Sequence, residues 1–186
     1  IAVGLNSVIS RALGEKNKEA VRKTASAAMW LAMAAYLLIV LMCIFFIRPY
    51  FSWQSGGNTD IAAYGTRYLV ICMLLSFGQM TQWVFDRLLI ATGKSSLFLI
   101  SLTVASITNL ILDPIFIFGY FGCPAMGTTG AGLATAIGQI AGAVAGILIN
   151  IKYNKEIPIR FSLKPDWKYC KSILKVGIQT AIMQGL

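Results

Sequence analysis

Asp113 stands inside a long uncharged stretch of this 186-residue chain, one helical turn after Asn109 and two after Ser106. At 3.6 residues per turn the three fall within about 60° of one another and form a narrow polar stripe on an otherwise apolar helix. An ionisable side chain in hydrocarbon is costly, so it turns toward a bundle interior or an aqueous cavity and takes a partner. A carboxylate placed there can hold a proton, or can coordinate a small hard cation with help from amide and hydroxyl oxygens. The competing reading is that Asp113 caps a helix or starts a turn before Pro114.

Other polar positions are weaker candidates. Gln79 and Gln82 lie three apart on one apolar helix and Gln139 lies early on another, so each could touch a cationic substrate or bond a neighbouring helix. Arg67 and the pair Asp86-Arg87 fall near expected helix ends, where snorkelling and local pairing suffice. The chain has no His, and Cys43, Cys72, Cys123 and Cys170 are far apart, which argues against structural zinc and a disulfide framework. No paired acidic motif, Ser/Lys pair or double-Asp arrangement appears in the apolar stretches, so enzyme chemistry is not expected.

The elements that must position Asp113 follow from hydropathy. The residues are 57% hydrophobic and 12% charged, and the mean hydropathy is +0.71. Crossing ~30 Å of hydrocarbon at ~1.5 Å per residue takes ~20 apolar residues. The pattern predicts an all-α, polytopic transmembrane bundle with spans over about 1–13, 25–47, 62–90, 95–118 and 128–151. The span over 25–47 is expected to stop at Arg48-Pro49, with Tyr50, Phe51 and Trp53 at the interface. Gly138, Gly142 and Gly146 recur every fourth residue on the last of these spans, a spacing that lets another helix approach closely. Residues 152–172 read as a cytoplasmic connector and 173–186 as the start of a further lobe, and both termini read as truncations inside apolar stretches.

The net charge of +9 could suggest nucleic acid. Its distribution argues otherwise: fourteen of the sixteen Lys and Arg residues lie in the three loops 11–24, 86–94 and 152–175, with Arg48 and Arg67 on the opposite side. Basic residues kept on one side of a membrane mark the cytoplasmic loops, and no basic stripe interleaved with exposed aromatics is present.

The segment from Asn109 through Asp113-Pro114 to Gly119, followed by Pro124 through Gly130 and Thr135 to Gln139, closely resembles the multidrug and toxic compound extrusion (MATE) transporters. Ser10-Arg11-Ala12-Leu13-Gly14 with Asn17 resembles the end of that family's second helix, and Arg87 to Lys94 the end of its fourth. The resemblance covers essentially the whole chain, from late in the second helix to early in the seventh of a normally twelve-helix, two-lobe transporter. It implies that Asn109, Asp113 and Thr135 take part in cation coupling, with Na⁺ as one candidate ligand, alongside an aspartate on a first helix upstream of Ile1.

The function expected from that resemblance is secondary active antiport: export of organic, often cationic, compounds in exchange for Na⁺ or H⁺, with no other cofactor. A lipid-linked glycan or lipid flippase of related architecture is the alternative, which the near absence of basic residues in mid-membrane weighs against. Expected partners are a small organic substrate, membrane lipid and the remaining helices of the same chain, with a monomer at full length and no nucleic acid. The expected location is a bacterial or archaeal plasma membrane.

Overall fold

In hydrocarbon every backbone N–H and C=O must be satisfied inside the protein, and a continuous helix does this within one segment. The computed structural model describes residues 2–56, 59–154, 157 and 166–185. Its helices are α1 (Ala2–Gly14), α2 (Lys18–Gln54), α3 (Thr59–Leu74), α4 (Phe77–Ala91), α5 (Ser95–Phe118), α6 (Thr128–Tyr153) and α7 (Trp167–Gly185), with one 3-10 turn at Tyr120–Gly122. Among the described residues, α2, α5 and α6 are each long and apolar enough to cross a bilayer, and α3 with α4 makes a fourth crossing if the bent pair is one span. Of the expected connector over 152–172, residues 155, 156 and 158–165 lie outside the described residues.

Two expectations change. The helix expected over 25–47 begins at Lys18, capped by the Asn17 side chain accepting from the Ala20 N–H at 3.0 Å, and runs through Pro49 to Gln54. Pro49 removes one backbone donor, yet bonding resumes past it, where Ser55 N–H donates to the Phe51 carbonyl at 2.9 Å. At 37 residues α2 is about 55 Å long, more than a bilayer's hydrocarbon requires.

The span expected over 62–90 is broken, its two halves bent by 42°. Backbone bonding continues through the break, with Leu75 N–H donating to the Ile71 carbonyl at 3.0 Å and Ser76 N–H to the Met73 carbonyl at 3.3 Å. Two side chains add to it: Tyr36 of α2 donates from its hydroxyl to the Leu74 carbonyl at 2.9 Å, and Ser76 Oγ donates to the Met73 carbonyl at 2.7 Å. Tyr36 also meets Phe77 edge-on, ring centroids 5.8 Å apart.

The core is assembled from small residues on α2 against larger ones on its neighbours. Ala20, Val21, Ala27 and Ala28 of α2 pack with Leu5 and Ile9 of α1, Val84, Phe85 and Leu88 of α4, and Cys170 and Ile173 of α7. Gly4 lies so near α7 that a Cβ there would collide with the Ile173 carbonyl oxygen. Large apolar side chains such as Leu38, Ile44 and Phe45 of α2 and Leu110 of α5 point outward. An inside-out arrangement of this kind is unstable in water and appropriate to lipid, which solvates such side chains as well as a core would.

Candidate functional site

The site lies on the seam between α5 and α6, the most extensive helix contact in the fold. Glycine permits that contact. A Cβ on Gly138 would stand 2.9 Å from the Ala105 carbonyl oxygen and 3.1 Å from Asn109 Cβ. A Cβ on Gly142 would stand 2.7 Å from Ala105 Cβ. The glycine spacing thus does what small residues do between membrane helices.

α5 remains helical through Pro114 and ends at Gly119, whose φ of 78° suits a left-handed C-cap. Asp113 therefore lies inside the helix and neither caps it nor starts a turn. The chain returns toward α6 with Met126 N–H donating to the Phe116 carbonyl at 2.9 Å, and Gly130 sits so tightly on α5 that a Cβ would strike the Phe116 carbonyl oxygen.

This return brings Thr135 opposite Asn109 and Asp113. With one orientation of its amide, Asn109 Nδ2 donates to Thr135 Oγ1 at 3.3 Å and its oxygen faces only acceptors. With the amide turned over, Nδ2 donates to Asp113 Oδ2 and the oxygen accepts from the Thr135 N–H, both at 3.2 Å. The turned form satisfies both ends in the absence of a ligand. Thr135 directs its own hydroxyl proton to the Ala131 carbonyl at 2.9 Å, which leaves its oxygen free to accept or coordinate. In neither amide orientation does buried Asp113 Oδ1 find a partner. A buried acceptor without a donor is costly, and such groups concentrate where a ligand belongs.

Of the stripe read from the sequence, Asn109 and Asp113 are partly buried at the seam, whereas Ser106 is exposed. Tyr68 of α3 was not foreseen. It packs beside Cys72 against Gly132 of α6 and lies within electrostatic reach of Asp113. Among the described residues no three His, Cys, Asp or Glu side chains converge, so a cation at this site would rely on one carboxylate and neutral oxygens.

The three glutamines also come together. Gln79, Gln82 and Gln139 line a cavity of about 280 Å³ between α4, α5 and α6, with Trp83, Phe98 and Asp86. Gln82 is buried, its amide packed against Gly142. Asp86 departs from the surface role expected of it: it is 5% exposed, and no ion pair with Arg87 forms. A charge near a helix end ordinarily reaches solvent, but α5 and α6 cover this one.

Below these residues, Asn150 Nδ2 donates to the carbonyls of Phe85 at 3.0 Å and Gly146 at 2.8 Å, and Asn154 Nδ2 donates to Asn150 Oδ1 at 3.0 Å. The bond to Phe85 ties α6 to α4 by a side-chain amide, a connection that hydropathy alone does not reveal, while the other two brace that amide from within α6 and its C-cap.

Comparison with known proteins agrees with the sequence resemblance. A probable multidrug resistance protein NorM of Thermotoga maritima is 30% identical over 194 residues, covering 97% of this chain and 39% of that protein. The multidrug export protein MepA of Staphylococcus aureus (strain bovine RF122 / ET3-1) is 26% identical over 185 residues, covering 99% and 40%. This chain thus spans about two fifths of the length of these relatives.

In fold, it matches the inward-facing conformation of a multidrug resistance MATE family transporter of the MOP superfamily with a TM-score of 0.82 at 22% identity, over 95% of this chain and 40% of that one. The outward-facing conformation matches with a TM-score of 0.80 at the same identity, over 98% and 40%. Proteins so named are transporters and not enzymes, and the apolar helices make this chain a multi-pass membrane protein. Because residues 1–115, well over half of the sequence, match the family model MatE itself, the chain belongs to the MatE family.

Proposed function

We propose that this chain forms most of one lobe of a secondary active antiporter that exports organic, often cationic, compounds in exchange for Na⁺ or H⁺, with Asn109, Asp113 and Thr135 as the cation-coupling residues. The observation that carries this reading is the unpartnered Asp113 Oδ1 beside an amide and a hydroxyl that can each turn an oxygen toward it.

A side-chain amide can present either its oxygen or its N–H edge, which suggests how occupancy is registered. With a cation present, the Asn109 oxygen and the Asp113 carboxylate both converge on it, Thr135 Oγ1 adding a third ligand. When the cation leaves, two facing acceptors repel, and the amide turns over to donate to Asp113 Oδ2. A proton on Asp113 removes the same repulsion with no third ligand. Either event changes the contacts between α5 and α6, and only such a difference between states can move an inward–outward equilibrium.

Further parts of the reading follow from the loops and helices. The Lys- and Arg-rich loops face the cytoplasm of a bacterial or archaeal cell, residues 152–172 connect two lobes, and 173–186 begin the second. Gln79, Gln82 and Gln139 serve as weak substrate contacts, and the full-length protein works as a monomer in contact with lipid. The similarity of this lobe's fold to both inward- and outward-facing structures supports rocking of lobes about a central site.

The test is transport by the full-length protein in proteoliposomes, using a fluorescent organic cation and an imposed Na⁺ or pH gradient. One of the two gradients should drive countertransport that collapses with its ionophore. Transport indifferent to both gradients would refute the antiporter.

A further inference from the structure

A second buried acid lies away from the Asn109, Asp113 and Thr135 cluster. Asp86 is on α4, five residues before the helix ends at Ala91, and α5 and α6 close over it. Gly146 of α6 makes the room: a Cβ there would stand 3.3 Å from Ser101 Oγ and 3.5 Å from Asp86 Oδ1. That Oδ1 has no hydrogen-bond partner. Ser101 of α5 and Gln82, one turn earlier on α4, are the polar side chains beside the carboxyl, and Arg87 is the neighbouring charge. Around it α5 and α6 supply Ser101 and Gly146 and, along the cavity, Phe98, Leu102, Ala105 and Gln139, none titratable.

Counting protons on Ser101 decides the chemistry. Its single O–H is directed at the Gly142 carbonyl at 3.0 Å, and Ser101 is itself fully buried. Toward Asp86 the Ser101 oxygen can therefore only accept, and an acceptor facing a carboxyl needs the carboxyl to bring the proton. Buried carboxylates with an orphaned oxygen are costly, whereas a neutral acid in a hydrogen-bonded pocket is not.

We propose that Asp86 is a second proton-binding site of this lobe, a carboxylic acid that donates to Ser101 Oγ. Twelve residues of α5 separate Ser101 from Asp113, about 18 Å along the helix, so the two acids lie at different depths. The Asp86 site is at the end bearing the basic loop 86–94. The cavity lined by Gln79, Gln82 and Gln139 reaches Asp86 and offers water a route to it. Protonation sets the charge of that cavity: with the proton bound, Arg87 is its one formal charge, and with the proton lost an anion faces Trp83 and Phe98. The inference stands on geometry at Asp86 and holds whether or not Asp113 couples transport.

Infrared difference spectroscopy of the full-length protein in lipid nanodiscs, between acidic and alkaline buffer, tests it. A protonated-carboxyl C=O band is expected that disappears in Asp86→Asn and persists in Asp113→Asn. In Ser101→Ala the same band should move to higher frequency, because its hydrogen-bond acceptor is gone. Wild-type and Asp86→Asn spectra that superimpose in this region would overturn the proposal. Should Asp86→Asn fail to fold, a wild-type band unmoved in Ser101→Ala would overturn it equally.

Discussion

The α5–α6 seam makes a quantitative prediction through two glycines one turn apart. At Gly142 a methyl group would stand 2.7 Å from both Ala105 Cβ and Gln82 Nε2, about 1 Å inside ordinary contact. At Gly146 the nearest atoms would be Ser101 Oγ at 3.3 Å and Asp86 Oδ1 at 3.5 Å, short by a few tenths. Both changes gain about 1 kcal/mol of helix propensity on becoming Ala, so that gain cancels between them. What remains is overpacking, about 1–3 kcal/mol at Gly142 and little at Gly146. Gly142→Ala should therefore unfold more readily than Gly146→Ala by about 1–3 kcal/mol, or about 2–4 °C of Tm for each kcal/mol. Thermal unfolding of the two purified variants in one detergent, followed by circular dichroism, measures the difference. Equal melting temperatures, or the reverse order, would refute the close approach of α5 and α6 on which the site depends.

Other predictions concern single contacts. Tyr36→Phe removes the hydroxyl that caps the Leu74 carbonyl; it should cost about 0.6 kcal/mol and no more than ~1.7, and hydrogen exchange should quicken around Leu74–Phe77 while α5 is unaffected. Asn150→Leu removes the inter-helix hydrogen bond to the Phe85 carbonyl and the acceptor that Asn154 Nδ2 meets at 3.0 Å, and should destabilise by about 0.5–1.5 kcal/mol, read as a lower denaturation midpoint. Thr135→Val keeps the shape but removes a neutral ligand, and should raise the half-saturating concentration of the coupling ion about tenfold, for about 1.4 kcal/mol, without changing protein yield.

The sequence makes the crossing helices and the polar cluster legible for different reasons. Uncharged runs of about 20 residues identify spans whatever their neighbours do, and the four-residue spacing of Asn109 and Asp113 fixes their shared face. Thr135 is 26 residues from Asn109, and the hydrogen bond between them depends on how the loop 119–127 folds back, so family resemblance was needed to pair them.

The break at Leu75 and Ser76 is harder to read because no proline marks it; its stabilising hydroxyl comes from Tyr36, 38 residues away. The burial of Asp86 is hard to read for a similar reason. Proximity to a helix end predicts exposure, and only the packing of Ser101 and Gly146 over it, from two other helices, reverses that expectation. In both cases hydropathy reports what one helix can bury, while the outcome is set by what its neighbours cover.

The central claim is that Asp113 couples an ion to transport, and Asp113→Asn in the full-length protein tests it most directly. The substitution keeps the side chain's size and removes the charge, so membrane insertion and thermal stability should match wild type. Gradient-driven efflux of a fluorescent organic cation from vesicles should fall to the level of vesicles lacking the protein. Efflux that continues undiminished and still follows the gradient would contradict the assignment.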